Sequence, residues 1–272
     1  MTVQYQGVDE IHRLRVAIKE LKALLALIEL SGNGRFDKKD HLDLFDKVFR
    51  TAGKVREAHL NAEIAGKKDK DCVSPYLKHL YKSQKRNTQK LVKAIANFDI
   101  KELDRIDLNM QLNTTGLNDK MVVDRAMLFV LAKLKKVNSL KSDVYNNKKL
   151  HKLRINLKAA SGILSLADEL HPSEVWSDFQ DRIKSIYKLL GKWHDHIVLI
   201  DSLKAYVMKV KKNKKNISKI KSFVKQLKKK NEKRRSKIND LLTNYFSQEE
   251  LTPVEANLEP IASVVYEGNY FD

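Results

Sequence analysis

Ile11-His12-Arg13-Leu14-Arg15-Val16-Ala17-Ile18-Lys19 recurs later in the chain as Leu150-His151-Lys152-Leu153-Arg154-Ile155-Asn156-Leu157-Lys158, with His, Leu, Arg and Lys in register. A second pair follows in the same order and at nearly the same offset. Phe49-Arg50-Thr51-Ala52-Gly53-Lys54-Val55-Arg56-Glu57 matches Tyr187-Lys188-Leu189-Leu190-Gly191-Lys192-Trp193-His194-Asp195. A period of roughly 139 residues is far longer than any solenoid unit, so two ordered matches point to an internal duplication. The expectation is two related helical bundles, each supplying equivalent helices to a shared site.

At about 100° per residue, His12, Arg15, Lys19 and Lys22 fall within an arc of roughly 80° on one side of a helix. Leu14, Ile18, Leu21, Leu24, Leu25 and Ile28 take the opposite side, which should pack inward and fix the basic stripe's orientation. His151, Arg154 and Lys158 align the same way, but Ser161 stands where the first copy has Lys22, so the second stripe is one charge weaker. Such a stripe suits a linear phosphate polymer: guanidinium groups grip phosphate oxygens bidentately, and ammonium groups act as point charges. Histidine serves the same anion, whose charge should favour the imidazolium form and tighten binding at mildly acid pH. Charges three and four apart are ordinarily a solvated face; repetition with His in register favours the site.

Around these motifs the chain reads as helix. Only 4 Pro and 9 Gly interrupt it, and breaker clusters such as Ser31-Gly32-Asn33-Gly34 and Asn113-Thr114-Thr115-Gly116 separate helix-length segments. These lie near 8–30, 37–65, 73–97, 121–143, 147–170, 173–209 and 215–246, with no strand pattern before the tail. The organisation expected is one all-α domain over 1–246, with halves at about 8–120 and 121–246, followed by an acidic tail over 247–272. No signal-like start and no long apolar run appears, so a cytoplasmic protein without membrane contact is expected. Cys72, the only cysteine, reads as an ordinary thiol.

Net charge is +19, and residues 1–237 alone set 53 Lys and Arg against 27 Asp and Glu, a net +26. Self-repulsion on this scale calls for a polyanionic partner. Further cations line neighbouring helices: Lys47, Arg50 and Lys54, then Lys184 and Lys188, and Lys78, Lys82, Lys85 and Arg86. The dense runs Lys209–Lys215 and Lys228–Lys237 lack an apolar stripe and read as solvated surface.

The His12-x-x-Arg15-Val16-x-x-x-Lys19 motif, its copy from His151, and the paired segments from Gly53 and Gly191 resemble the CHAD (conserved histidine α-helical domain) family. The resemblance runs from about Val8 to Asn239. It implies two pseudo-symmetric helical bundles around a basic central channel that binds inorganic polyphosphate, often on polyphosphate granules. Carried over, His12, Arg15, Lys19 and Lys22, and His151, Arg154 and Lys158, are phosphate contacts, with Arg56 beside them and Arg50, Lys54, Lys82, Arg86 and Lys188 completing the set. Glu57 stands where the family usually has Asp. Lys19, Glu20 and Lys22 stand where it has more Arg, and Ala160 and Ser161 replace basic residues expected late in the second motif, so a lopsided channel is expected.

Catalysis, cofactor and metal are not expected. No Glu-x-Glu-x-Lys signature of a fused triphosphate hydrolase is present, and His194-x-His196 sets its rings on different sides of a helix rather than around one metal. The competing reading is nucleic-acid binding through the phosphate backbone. Against it stand 7% aromatics, no stacking platform within the stripes, and no zinc-finger or basic-zipper spacing. Other polyanions remain secondary partners. A third reading is an interaction module for acidic proteins or granule-associated partners.

Overall fold

The computed structural model describes residues 3–32, 34, 36–67, 70–172, 174–210 and 214–245. The acidic tail, most of the Lys209–Lys215 run and the Cys72 side chain lie outside the described residues. The described elements are helical: α1 (Val3–Ser31), α2 (Lys38–Gly66), α3 (Lys70–Ala96), α4 (Lys101–Thr114), α5 (Asp119–Leu140), α6 (Asn147–Leu170), α7 (Glu174–Lys209) and α8 (Lys214–Tyr245), with a short 3-10 turn at Lys141–Asp143.

Helix starts follow local chemistry. The Asn118 side chain accepts from the Met121 amide at 2.8 Å to open α5, and Asn146 accepts from the amides of Lys148 and Lys149 at 2.9 and 3.3 Å to open α6. Helix α4 has no counterpart among the segments expected from sequence. It opens where Asp99 Oδ1 accepts from the Lys101 amide at 3.0 Å, with Glu102 and Asp104 in its first turn. Gly116, at φ 83°, makes the left-handed turn that separates α4 from α5.

By their contacts the described residues form two compact units: those within Met1–Lys22, Lys38–Asp107 and Lys192–Lys233 make the first, and those within Ala23–Asp37, Leu108–Gly191 and from Arg234 to Tyr245 the second. These spatial units cut the chain differently from the halves of the sequence repeat. Helices α1, α4, α7 and α8 each contribute to both. A 36-residue helix such as α7 is about 54 Å long, more than one small core can cover.

In the first unit, the small residues Ala62 and Ala65 of α2 share a core with Val73, Tyr76 and Leu80 of α3, Leu199 and Leu203 of α7, and Phe223 of α8. Tyr76 is fully buried, and its hydroxyl donates to Ser202 Oγ at 2.8 Å. Burial pushes the phenol pKa up to about 12. In the second unit, Leu150, Leu153, Leu157, Ile163 and Leu164 form the buried face of α6. A Cβ on Gly162 of the same helix would stand 3.4 Å from the Ala23 methyl of α1. Arg125 of α5 closes the C-terminal end of α1, one guanidinium nitrogen donating to the carbonyls of Leu30, Ser31 and Gly32 at 3.1, 3.0 and 3.1 Å.

The apolar face expected on α1 is only partly correct. Ile18, Leu25 and Ile28 are buried, but Leu24 is exposed and Leu27 is buried in its place.

Candidate functional site

In the first unit the basic stripe of α1 lies against α2. Arg15 Nη1 donates to the Phe49 carbonyl at 2.7 Å, and its guanidinium carbon sits 4.3 Å from the Phe49 ring centroid. Lys22 Nζ covers the same ring at 4.6 Å and pairs with Asp46 at 3.8 Å. Phe49 is thus a platform for two cations, an arrangement in which the negative ring face attracts positive charge. Gly53 makes it possible: a Cβ there would fall 2.8 Å from Arg15 Nη1. The glycine of the repeated Gly-Lys segment is therefore a clearance for the arginine of the repeated His motif.

These contacts set the two helices antiparallel, with Lys22 by Asp46 and Arg15 by Gly53. Continuing the register brings His12 level with Arg56 and Asp9 level with His59. The electrostatics agree. Burial first, and then the Arg56 and Lys19 charges, lower the His12 pKa against the opposing pull of Asp9, with Arg15 adding to the lowering. Burial and then Arg56 lower the Arg15 pKa. Burial and then Arg56 also lower the pKa of His59, while Glu63 and Asp9 oppose. Glu63 itself is held low chiefly by the hydrogen bond from Lys67 Nζ at 2.9 Å. Arg56 is the hub of this cluster.

His59 was absent from the residues singled out in the sequence. The signal for it was present: it follows Arg56 by three residues, the spacing that separates His12 from Arg15. The other candidates distribute unevenly. Lys19 is half-buried and acts on His12. Arg50 is exposed and pairs with Asp46 at 3.4 Å, so Asp46 binds both Arg50 and Lys22. Lys54 is exposed and turned about 100° from Gly53. Lys82 and Arg86 are exposed on α3.

In the second unit, Arg154 lies over the Tyr187 ring, 5.6 Å from its centroid, repeating the arginine-over-aromatic pair of Arg15 and Phe49 at the matching positions of the repeat. The copy is looser. Arg154 Nε is buried with no hydrogen-bond partner among the described residues, and a Cβ on Gly191 would meet nothing within 4 Å. His151 and Lys188 are exposed and Lys158 is half-buried. Ala160, where the resemblance suggested a basic residue, is fully buried, so it belongs to the apolar face of α6 and no cation can be placed there without losing core. Ser161 is half-buried.

His196 is buried on α7 and His194 has its ring centroid 6.3 Å from that of Trp193. Among the described residues, no group of three His, Cys, Asp or Glu is placed to hold a metal ion, and no helix is long and apolar enough to cross a membrane.

A search of curated proteins returned no match. The family model of the CHAD domain matches residues 3–159 and again 125–261. Two overlapping copies of one helical pattern, each carrying an arginine stacked on the aromatic residue of the following helix, place this chain in the CHAD domain family.

Proposed function

We propose that this protein is a non-catalytic receptor for inorganic polyphosphate, cytoplasmic and associated with polyphosphate granules. The observation that carries the reading is the cluster around Arg56. Burial first, and then that guanidinium, lower the pKa values of His12, Arg15 and His59, so positive charges from both helices meet on one unliganded face. A linear polyanion would bring negative charge to that face. The scaffold holds Arg15 and Lys22 on Phe49 before any ligand arrives, which lowers the ordering cost of binding. His151, Arg154, Lys158 and Lys188 form the corresponding, weaker face of the second unit.

The test is competition between long-chain polyphosphate and DNA or RNA at matched phosphate concentration. The comparison uses wild type, a His12/Arg56/His151/Lys188 alanine variant, and a control that removes the same two full charges at the exposed Lys229 and Lys233 of α8. The expected result is preference for polyphosphate, steep salt dependence from counterion release, loss in the first variant and retention in the second. Polymer length on a gel should be unchanged by incubation. Equal losses in both variants, or equal affinity for nucleic acid, would replace the receptor with a generic basic surface.

A further inference from the structure

The α1–α2 pair of the first unit carries a mirrored spacing. His12 precedes Arg15 by three residues on α1, and His59 follows Arg56 by three on α2. In both cases the histidine stands one turn from the arginine, on nearly the same face. The helices run antiparallel with Arg15 at Gly53 and Lys22 at Asp46, so His12 stands level with Arg56 and His59 one turn beyond it on α2. Both respond to the same two charges, Arg56 and Asp9. Among the described residues, the charges acting on them come from α1 and α2. Arg56 and Glu63 of α2 and Asp9 of α1 act on His59. Arg56 of α2 and Lys19, Arg15 and Asp9 of α1 act on His12.

We propose that His59 is a binding residue of this face and that, with His12, it makes phosphate-polymer binding proton-linked: the polymer is held more tightly when both imidazoles are protonated. The inference rests on the polyphosphate reading above and adds a residue and a regulation to it. Empty, the site disfavours the imidazolium forms: burial, Arg56, Lys19 and Arg15 outweigh Asp9 at His12, and burial and Arg56 outweigh Glu63 and Asp9 at His59. A polyanion laid across Arg56 reverses the local potential, and each imidazolium gains both an attractive charge and an acceptor for its N–H. Binding therefore takes up protons. The chemistry requires a ligand whose own charge does not change over the same range. Interior phosphates of a long polymer meet that requirement, whereas terminal phosphates titrate near pH 6.

The experiment is calorimetric titration of the full chain with long-chain polyphosphate between pH 5.5 and 8, repeated in buffers of different ionisation enthalpy to count protons. Wild type should show affinity rising on acidification, by up to about tenfold per pH unit for each linked proton. His59→Gln should lower the proton count by about one. Histidine C2–H chemical shifts of the wild-type protein give an independent reading: the His59 and His12 titrations should both move to higher pH when polymer is added. Strong but pH-independent binding, or a His59 resonance whose titration polymer leaves unmoved, would overturn the proton linkage while leaving the receptor intact. Absence of polyphosphate binding at every pH would instead overturn the receptor reading, and this inference with it.

Discussion

Gly53→Ala should destabilise this protein although it improves a helix. Alanine in a helix interior is worth about 1 kcal/mol over glycine, and Gly53 lies within α2 with no positive φ to require it. The opposing effect is steric: the new Cβ would stand 2.8 Å from Arg15 Nη1, so the guanidinium, the end of a flexible side chain, must shift off its seat at Phe49. Its departure costs a hydrogen bond from a charged donor, about 1.5–3 kcal/mol, and a cation–aromatic contact of about 0.5–1 kcal/mol. Arg15 is only half-buried and regains water, so the lower ends apply and the loss is about 2 kcal/mol. The net effect is destabilisation by about 1 kcal/mol, or about 2–4 °C in Tm for a chain of this size. In an Arg15→Ala background there is nothing to displace, and the same substitution should stabilise by about 1 kcal/mol. Thermal and urea unfolding of the four proteins of this cycle measure the change of sign, a coupling near ~2 kcal/mol. Stabilisation by Gly53→Ala in both backgrounds would refute the claim that the glycine exists to admit Arg15.

Three further outcomes are expected. Tyr76→Phe should cost about 0.5–1.5 kcal/mol by removing the bond to Ser202, and the absorbance titration of the variant should lack the phenol that ionises at about 12. Arg125→Met should cost about 1.5–3 kcal/mol and speed amide exchange at the end of α1, because three carbonyls lose their common donor. Unliganded protein should lose stability as pH falls below 6.5, the ordinary histidine value from which His59 and His12 are lowered. With folded pKa values below unfolded ones, the unfolded chain binds more protons in that window, and the loss runs down to the folded values. Glu63 adds a separate loss that begins below 4.5, because its folded pKa is also depressed. Melts from pH 8 to 4 in the absence of polyanion check the direction, and rising stability on acidification would contradict it.

Helical periodicity made the fold readable because long amphipathic helices repeat the same local decision many times, and the register of the two His motifs made the duplication readable. Helix α4 escaped because its apolar face is thin: Ile106 is its buried residue, while Leu103, Leu108 and Leu112 are exposed. The Asp99-x-x-Glu102 spacing was the available start signal. At the site, the stripe on α1 was legible, but what its members touch was not. Helical spacing says that Arg15 and His12 share a side; it does not say that Arg15 is anchored to a carbonyl while His12 stays exposed. His59 needed the antiparallel register of two helices, which neither helix encodes alone.

The same register explains how a chain this basic can hold its cations together. Arg15 and Lys22 are placed on one aromatic ring, where part of the repulsion is offset by the ring quadrupole and by Asp46. After burial, Arg56 is the charge that most lowers the pKa values of His12, His59 and Arg15. Beneath this face Ala52, Val55 and Ala58 of α2 are buried, alternating with the site residues along the helix. A polyanion that neutralises this face therefore returns stability as well as receiving affinity. At a hundred times its dissociation constant, a ligand specific for the folded state adds about 2.7 kcal/mol. If protonation of His12 and His59 is linked to binding, that gain must grow in the same acid window where the unliganded protein weakens. Two opposite pH slopes, one without polymer and one in the polymer-dependent increment, follow from one pair of imidazoles.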